Sequence, residues 1–542
     1  MKSNFTVSTP SAGSRASAGI ESVPASPTTQ EARYSSQHAI VIGGGLGGLS
    51  AAIHLVRQGW RVTLYEQNES CGGRMSAIQQ DGFHIDMGPT LLMMPEVVEQ
   101  LFAVCGRNIA DYIELTRLDP AYRVHFADGE SMDMHGNVKS MMADVARFAP
   151  EDAEQLPRLF EAMRKQYVNA RTNFIEKPFV HFSSLLRPQT IGGLLEAMPL
   201  TDVYSFVARF VKDERLRQAL TFQTLYLGIS PTRCPSIYAL LPYIEMEFGV
   251  WFPKGGMQSI ARGLEKLVRE LGVEVHTSTP VTKITTNNKR VSGVVIKDPV
   301  SNLDRHITAD YVLANVDTPS AYSRLLADFT RKRHSDTRIA QREYGCSAYL
   351  LYLGVTRLPD NIRHHEVFLS ADYKKTLTEI TTTGVFPSDP AIYTCVPTRT
   401  DPTLAPPDHD VLYVLVPCPH LGSAINWETE APVIREKVLD RLEQCGFPGL
   451  RQKIVMEQQF TPADFDTRYS CYLGSAFGLS PLFMQSSYFR PRMKSEELDG
   501  LYFAGAGTHP GGGVPIVLTS GRIAAECMQA DYLKSARTAH AV

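Results

Sequence analysis

The sequence predicts an α/β fold in which a parallel sheet is assembled from both ends of the chain, with a discontinuous α+β domain inserted into it. Three observations predict this. A strand, glycine turn, helix and second strand open the patterned part of the chain at His38, and a strand, glycine turn and helix close it after Leu501. Two long stretches, about 116–250 and 346–490, separate the sheet-forming pieces from one another. A parallel strand pair requires a crossover connection of a dozen residues or more, usually a helix, and the first unit has that form.

Residues 1–37 are rich in Ser, Ala, Thr and Pro and hold no apolar run, so they read as a disordered tail rather than a secretory signal. His38-Ala39-Ile40-Val41-Ile42 is a short β-rich run. Leu49, Ala52, Ile53 and Val56 then recur at helical spacing until Gly59 offers a stop, and Arg61 to Glu66 reads as the next strand. Between strand and helix stands Gly43-x-Gly45-x-x-Gly48, and this setting turns a weak pattern into a Rossmann-like dinucleotide fingerprint. Gly43 permits the tight turn, Gly45 admits a pyrophosphate to the backbone, and Gly48 lets helix and strand pack closely. The helix start at Leu46 and Gly47 turns its partial positive charge toward the phosphates. Glu66 ends the second strand, where an acid can accept hydrogen bonds from a ribose and would repel the 2′-phosphate of NADP.

Further strands are expected at Val273 to Val275, Val281 to Thr286, Val291 to Ile296 and Tyr311 to Asn315, the middle pair joined by a polar Asn287–Arg290 turn. The last unit runs from Leu501 to Gly505, through glycines to Gly513, into a helical pattern from Val517 to Met528. The cofactor domain is therefore expected in three pieces, 38–115, 251–345 and 491–535. The insertions 116–250, mostly helical in pattern, and 346–490, strand-rich, form the substrate domain.

Composition excludes several classes. With 54 basic and 57 acidic residues the net charge of −3 gives no field for gathering nucleic acid. The nine cysteines contain no C-x-x-C pair and read as reduced thiols of a cytosolic protein, without metal-site spacing. No stretch approaches the ~18 apolar residues of a spanning helix.

Two further segments carry a resemblance. Cys71-Gly72-Gly73-Arg74-Met75, followed by Gly82 to Thr90, resembles the flavoprotein superfamily that includes amine oxidases and carotenoid desaturases. The resemblance implies FAD, an amine-oxidase-type Rossmann-like domain, Gly73 and Arg74 beside the flavin or its phosphates, and Gly88, Pro89 and Thr90 along the isoalloxazine. Tyr502 to Pro515 looks like the glycine-rich signature of the bacterial-type phytoene and diapophytoene desaturases, which implies Gly507 and Val514 at the flavin. Val281 completes the expected cofactor-binding set. Asp86-Met87-Gly88-Pro89-Thr90, Met93-Met94-Pro95, Phe222 to Tyr226 and Gly249 to Met257 extend the match, and the wording is especially similar to the diapophytoene (dehydrosqualene) desaturases.

That family implies stepwise removal of hydrogen from a long isoprenoid polyene, thirty carbons by the closer resemblance and forty by the alternative. It also implies a cytoplasmic protein on the membrane surface, with a homo-oligomer open. The interleaved basic and apolar residues of Phe174 to Val211 suit such a monotopic contact. Glu245, Glu247 and His509 are the candidate catalytic residues, with Asp86 as a further shaping residue, and the sequence singles out no base among them. An amine oxidase, or an isoprenoid-binding protein that is not an enzyme, would be the rival readings on the same fold.

Overall fold

The computed structural model describes residues 37–177, 192–193 and 200–540. The N-terminal tail, but for Gln37, and most of the basic–apolar stretch between Phe174 and Val211 lie outside the described residues.

Five parallel strands form the first sheet, in the order Leu501–Phe503, Tyr311–Ala314, His38–Ile42, Arg61–Tyr65 and Glu274–His276. Residues as far apart in sequence as Ala39 and Tyr311 are thus paired in one layer, and the sheet closes only when the end of the chain returns. The helix Leu46–Arg57 covers one face and packs along the C-terminal helix Val514–His540. Glycine permits that crossing: a β carbon at Gly521 would lie 2.3 Å from the Gly47 carbonyl oxygen. Ser50 Oγ donates to the Leu518 carbonyl at 2.7 Å, and Trp60 Nε1 donates to Gln529 Oε1 at 2.6 Å, so buried polar groups pin the two helices in register. The helical pattern read as Val517 to Met528 is in fact 27 residues long, from Val514 to His540, because the turns after Met528 are mostly polar and leave little apolar periodicity to read.

Beside this sheet stands an antiparallel three-stranded layer, Val281–Asn287, Arg290–Lys297 and Asp304–Thr308. Asn288 takes positive φ in the hairpin turn, as Asn tolerates well. The third strand, Asp-Arg-His-Ile-Thr, is mostly exposed and escapes a reading based on buried alternation.

The second domain is a seven-stranded sheet ordered Ile454–Phe460, Ser347–Thr356, His409–Cys418, Ile392–Cys395, His365–Phe368, Tyr122–His125 and Ser131–Met134. Both insertions contribute to it. The helical stretch supplies the last two strands, four residues each, too short to announce themselves in sequence. Along Ser347–Thr356 the side chains alternate as a strand's must. Tyr349, Leu351, Leu353 and Val355 pack under the helix Trp427–Gln444, while Ala348, Leu350 and Tyr352 join the core that reaches into the first domain. Tyr352 OH donates to the Met87 carbonyl at 2.7 Å, tying this sheet to the Asp86–Thr90 turn. A third core, around Tyr122, Phe160, Phe222 and Ile244, fills the helical part of the insertion. No helix among the described residues is long and apolar enough to cross a membrane.

Candidate active site

The first strand ends at Ile42, and Gly43 turns the chain at φ +92°, a conformation that excludes a side chain. Gly45 caps the following helix with no side-chain hydrogen bond, and its first turn carries no acid. Its leading N–H groups therefore face outward unsatisfied, the condition that suits a phosphate. Space for that approach exists because side chains are missing: a β carbon at Gly45 would lie 2.9 Å from Asn315 Nδ2, and one at Gly48 only 2.1 Å from the Gly43 carbonyl oxygen.

Glu66 is buried at the end of the second strand. Its carboxylate accepts Gly44 N–H at 2.7 Å on one oxygen and Asn68 N–H and Nδ2 at 2.8 and 2.7 Å on the other. Burial pushes its pKa above the ordinary value, and these donors pull it back. The acid thus fastens the glycine turn itself, and Oε2, which accepts only Gly44 N–H, retains a lone pair for a ribose hydroxyl. The Thr279 N–H reaches the Glu66 carbonyl at 2.8 Å, so Val281, two residues on, starts its strand beside this end of the sheet and packs against the core cluster that contains Ile40, Ile42 and Tyr65.

The C-terminal glycines meet the N-terminal ones directly. A β carbon at Gly47 would lie 3.1 Å from Gly505 N, and Gly505, Gly511 and Gly513 all take positive φ. Gly507 sits against Thr318, where a β carbon would be 2.7 Å from the Thr318 amide nitrogen, and Val514 opens the last helix. Asn315 joins the two turns: Nδ2 donates to the Gly43 carbonyl at 3.2 Å, and its side chain crowds Gly45, Gly47, Gly48 and Gly505. Sequence reading placed Asn315 only as the end of a strand.

Around this seam lies a buried charge group. Arg74 donates to Cys471 Sγ at 2.9 Å and faces Asp317; Arg490, 5% exposed, donates to the carbonyls of Thr508, Leu479 and Ala506. Asp317 accepts Tyr472 N–H at 2.9 Å, and burial raises its pKa against the pull of the arginines. Two guanidiniums against one carboxylate leave an excess of positive charge in a poorly solvated place, which fits an anionic group on the bound cofactor. Gly73 at φ +57° and Gly88 pack here too, and a β carbon at Gly88 would overlap the Arg74 carbonyl at 1.8 Å. The glycine cradle, the uncapped helix and this cationic pocket together fit FAD.

The candidate catalytic residues separate sharply. Glu247 is exposed, on the outer face of the helix Leu241–Phe248. His509 is buried, with Nε2 against the Lys177 carbonyl at 3.0 Å and its pKa lowered to about 4 by burial, so it serves as a neutral tie between the glycine turn and the helical insertion. Asp86 accepts Met257 and Gln258 N–H at 2.6 and 2.9 Å and thereby fixes the Gly255-Gly256 turn and the helix that follows. Glu245 is different. It is 1% exposed, Oε2 accepts Tyr122 OH at 2.6 Å and Gln223 Nε2 at 3.3 Å, and Oε1 has no protein partner. Burial raises its pKa to about 7. Tyr226 OH and Gln223 Oε1 beside it are also unpartnered. Thr90, on the Gly88–Thr90 turn, shares a 2.5 Å hydrogen bond with Tyr393 OH.

The nine cysteines are all free thiols. Among the described residues, two groups bring ligand-type atoms within 4.8 Å of one another without any spacing motif: buried His364, His365 and Cys395, and the more exposed Asp133, His135 and Asp144.

Residues 46–529 match the family described as flavin containing amine oxidoreductase. The chain is 39% identical over 490 residues to a zeta-carotene-forming phytoene desaturase of Myxococcus xanthus, covering 90% of this chain and 93% of that one. It is 37% identical over 500 residues to the 4,4'-diapophytoene desaturase (4,4'-diaponeurosporene-forming) of Staphylococcus aureus, covering 91% and 98%. Among solved structures, an oxidoreductase from Methanosarcina mazei superposes with a TM-score of 0.61 at 18% identity over 90% of this chain and 100% of that one. Putrescine oxidase superposes with a TM-score of 0.58 at 15% identity over 91% and 99%, a likeness of fold alone. A match of this extent, on a chain whose two ends build one flavin cradle, means that the protein belongs to the flavin-containing amine oxidoreductase family.

Proposed function

We propose that this chain is an FAD-dependent carotenoid desaturase that introduces conjugated double bonds into a thirty-carbon diapophytoene-type polyene. The observation that carries the reading is 37–39% identity, along nine-tenths or more of both chains, to two desaturases of isoprenoid polyenes. The surroundings of Glu245 support it, because that acid lies in the apolar core of the helical insertion with Tyr122, Phe222, Ile244 and Met246, where polar atoms are few.

Bound FAD supplies the hydride acceptor, the step no side chain can perform on an unactivated hydrocarbon. The chain's own residues do the rest. Gly43 to Gly48 and the helix start at Leu46 hold the pyrophosphate, Glu66 the ribose, and Arg74 and Arg490 balance negative charge near the flavin. Gly88, Pro89 and Thr90 would form the turn along the ring system, and Gly507 and Val514 would also contact it. The apolar wall aligns the polyene and excludes water. Glu245, with one oxygen held and the other unpartnered, accepts the proton lost from the carbon next to the site of hydride loss.

A forty-carbon substrate is the second reading, favoured by the 39% identity to the Myxococcus enzyme. One methylene in an apolar site changes discrimination by only ~1–3 kcal/mol, so partial activity on both chains is expected, and a blocked tunnel end must set any sharp preference. Supplying both precursors at equal levels to enzyme in liposomes should give the faster initial rate with the thirty-carbon one. A faster rate with phytoene reassigns the substrate, and turnover of neither removes the desaturase reading.

We also place the enzyme on the membrane surface, because its substrate resides in lipid. The purified protein should float with liposomes and be released by detergent. Desaturation of liposome-borne substrate by enzyme that never floats would contradict this placement.

A further inference from the structure

Beside the strand His365–Phe368 a cavity of about 680 Å³ opens toward solvent. Arg117, Arg123, Arg363 and Arg399 line it, together with His364 and His365. From its wall, two successive hydrogen bonds connect His365 to the Gly88–Thr90 turn. His365 Nδ1 lies 2.8 Å from Tyr393 OH, and Tyr393 OH lies 2.5 Å from Thr90 Oγ1. His365 Nε2 is buried and has no partner. Tyr226, also unpartnered, lies within electrostatic reach of both Glu245 and Tyr393, so the line approaches the proposed proton acceptor.

The unpartnered atoms, His365 Nε2 and Tyr226 OH, are costly to bury. We propose that Thr90, Tyr393 and His365 form a proton exit line from the Gly88–Thr90 turn to the arginine-lined cavity. The proposal rests on the reading of Gly88 to Thr90 as the flavin-side turn. Its chemistry balances: one hydrogen leaves the substrate with its electron pair for FAD, and the neighbouring hydrogen leaves as a proton while its C–H pair becomes the new π bond. That proton must reach water. A threonine hydroxyl donating to Tyr393, and Tyr393 donating to His365 Nδ1, leave the histidine N–H on Nε2, so a proton entering at Nδ1 releases one from Nε2 toward the cavity. Burial and the neighbouring His364 keep His365 neutral, as a group must be that passes a proton on without storing it.

Two variants test the line in flavin-loaded enzyme. Tyr393→Phe removes both hydrogen bonds while keeping the ring, and should lower turnover at least tenfold with flavin content unchanged. His365→Ala should be similarly slow, and millimolar imidazole, small enough for the cavity, should restore at least a third of the lost rate. A readout independent of turnover is nitrogen NMR of histidine-labelled protein: His365 should carry its proton on Nε2, and the Tyr393→Phe variant should lose that preference. If both variants turn over within twofold of an active wild type, or His365 is protonated on Nδ1, the line is wrong. A wild type that desaturates nothing would instead overturn the functional reading on which it rests.

Discussion

Gly45→Val protein should purify folded but colourless. Of the glycines in the first turn, Gly45 is the one whose substitution separates cofactor binding from folding. At Gly48 an added β carbon meets backbone at 2.1 Å, and at Gly43 the backbone sits at φ +92° with Asn315 O only 2.7 Å from such a carbon, so both changes attack the turn itself. Gly45 has φ −67°, open to any residue, and the closest atom to its added carbon is Asn315 Nδ2 at 2.9 Å, the end of a side chain that can rotate. Valine's two methyl groups would then occupy the space before the helix start, where the pyrophosphate must approach the N–H groups. Displacing those contacts should weaken FAD binding by about 3 kcal/mol or more, on the order of 100-fold in Kd. The measurement is flavin absorbance per mole of protein after gel filtration, with circular dichroism as the check on folding. Gly45→Ala should lie between. Full flavin retention in a folded Gly45→Val protein would show that the pyrophosphate binds elsewhere.

What was legible in the sequence and what was not follows from distance along the chain. The turn Gly43 to Gly48, its helix and Glu66 fall within 24 consecutive residues, each constrained by its neighbours, so residue type and spacing already define a βαβ unit. Asn315 has no such local signature. Its importance comes from standing at the end of the strand next to His38–Ile42, where it touches glycines from both ends of the chain. Arg490, Asp317 and Cys471 are likewise ordinary residues in loops until the fold buries them together. Among the catalytic candidates, Glu245 and Glu247 look equivalent two positions apart, but on a helix that spacing separates their directions by about 200°, sending one into the core and the other to solvent. The sequence named the pair; the packing of Tyr122 and Gln223, from two other segments, distinguishes its members.

That distinction gives Glu245→Gln a defined outcome. The amide oxygen can still accept Tyr122 OH, so the network and the fold should persist, while the ability to take a proton is lost. General-base removal typically costs 10²–10⁴-fold, and about 100-fold in turnover is expected here. With the Glu245 pKa near 7, wild-type turnover should rise with pH through about 7 and then level off, as the carboxylate form becomes populated. The variant should be slow and flat over the same range. Stability gives an independent sign. The folded pKa is raised above the unfolded value of about 4.5, so the carboxyl's favourable contribution is full below pH 4.5 and is lost as pH rises through about 7. The shift corresponds to a loss on the order of 3 kcal/mol by pH 8. Gln does not titrate, so the melting temperature of the variant should gain on that of the wild type between pH 5 and pH 8. A variant that keeps wild-type turnover and the same pH limb would remove Glu245 from the reaction, and a melting difference constant across this pH range would show that its carboxyl is not held protonated by burial.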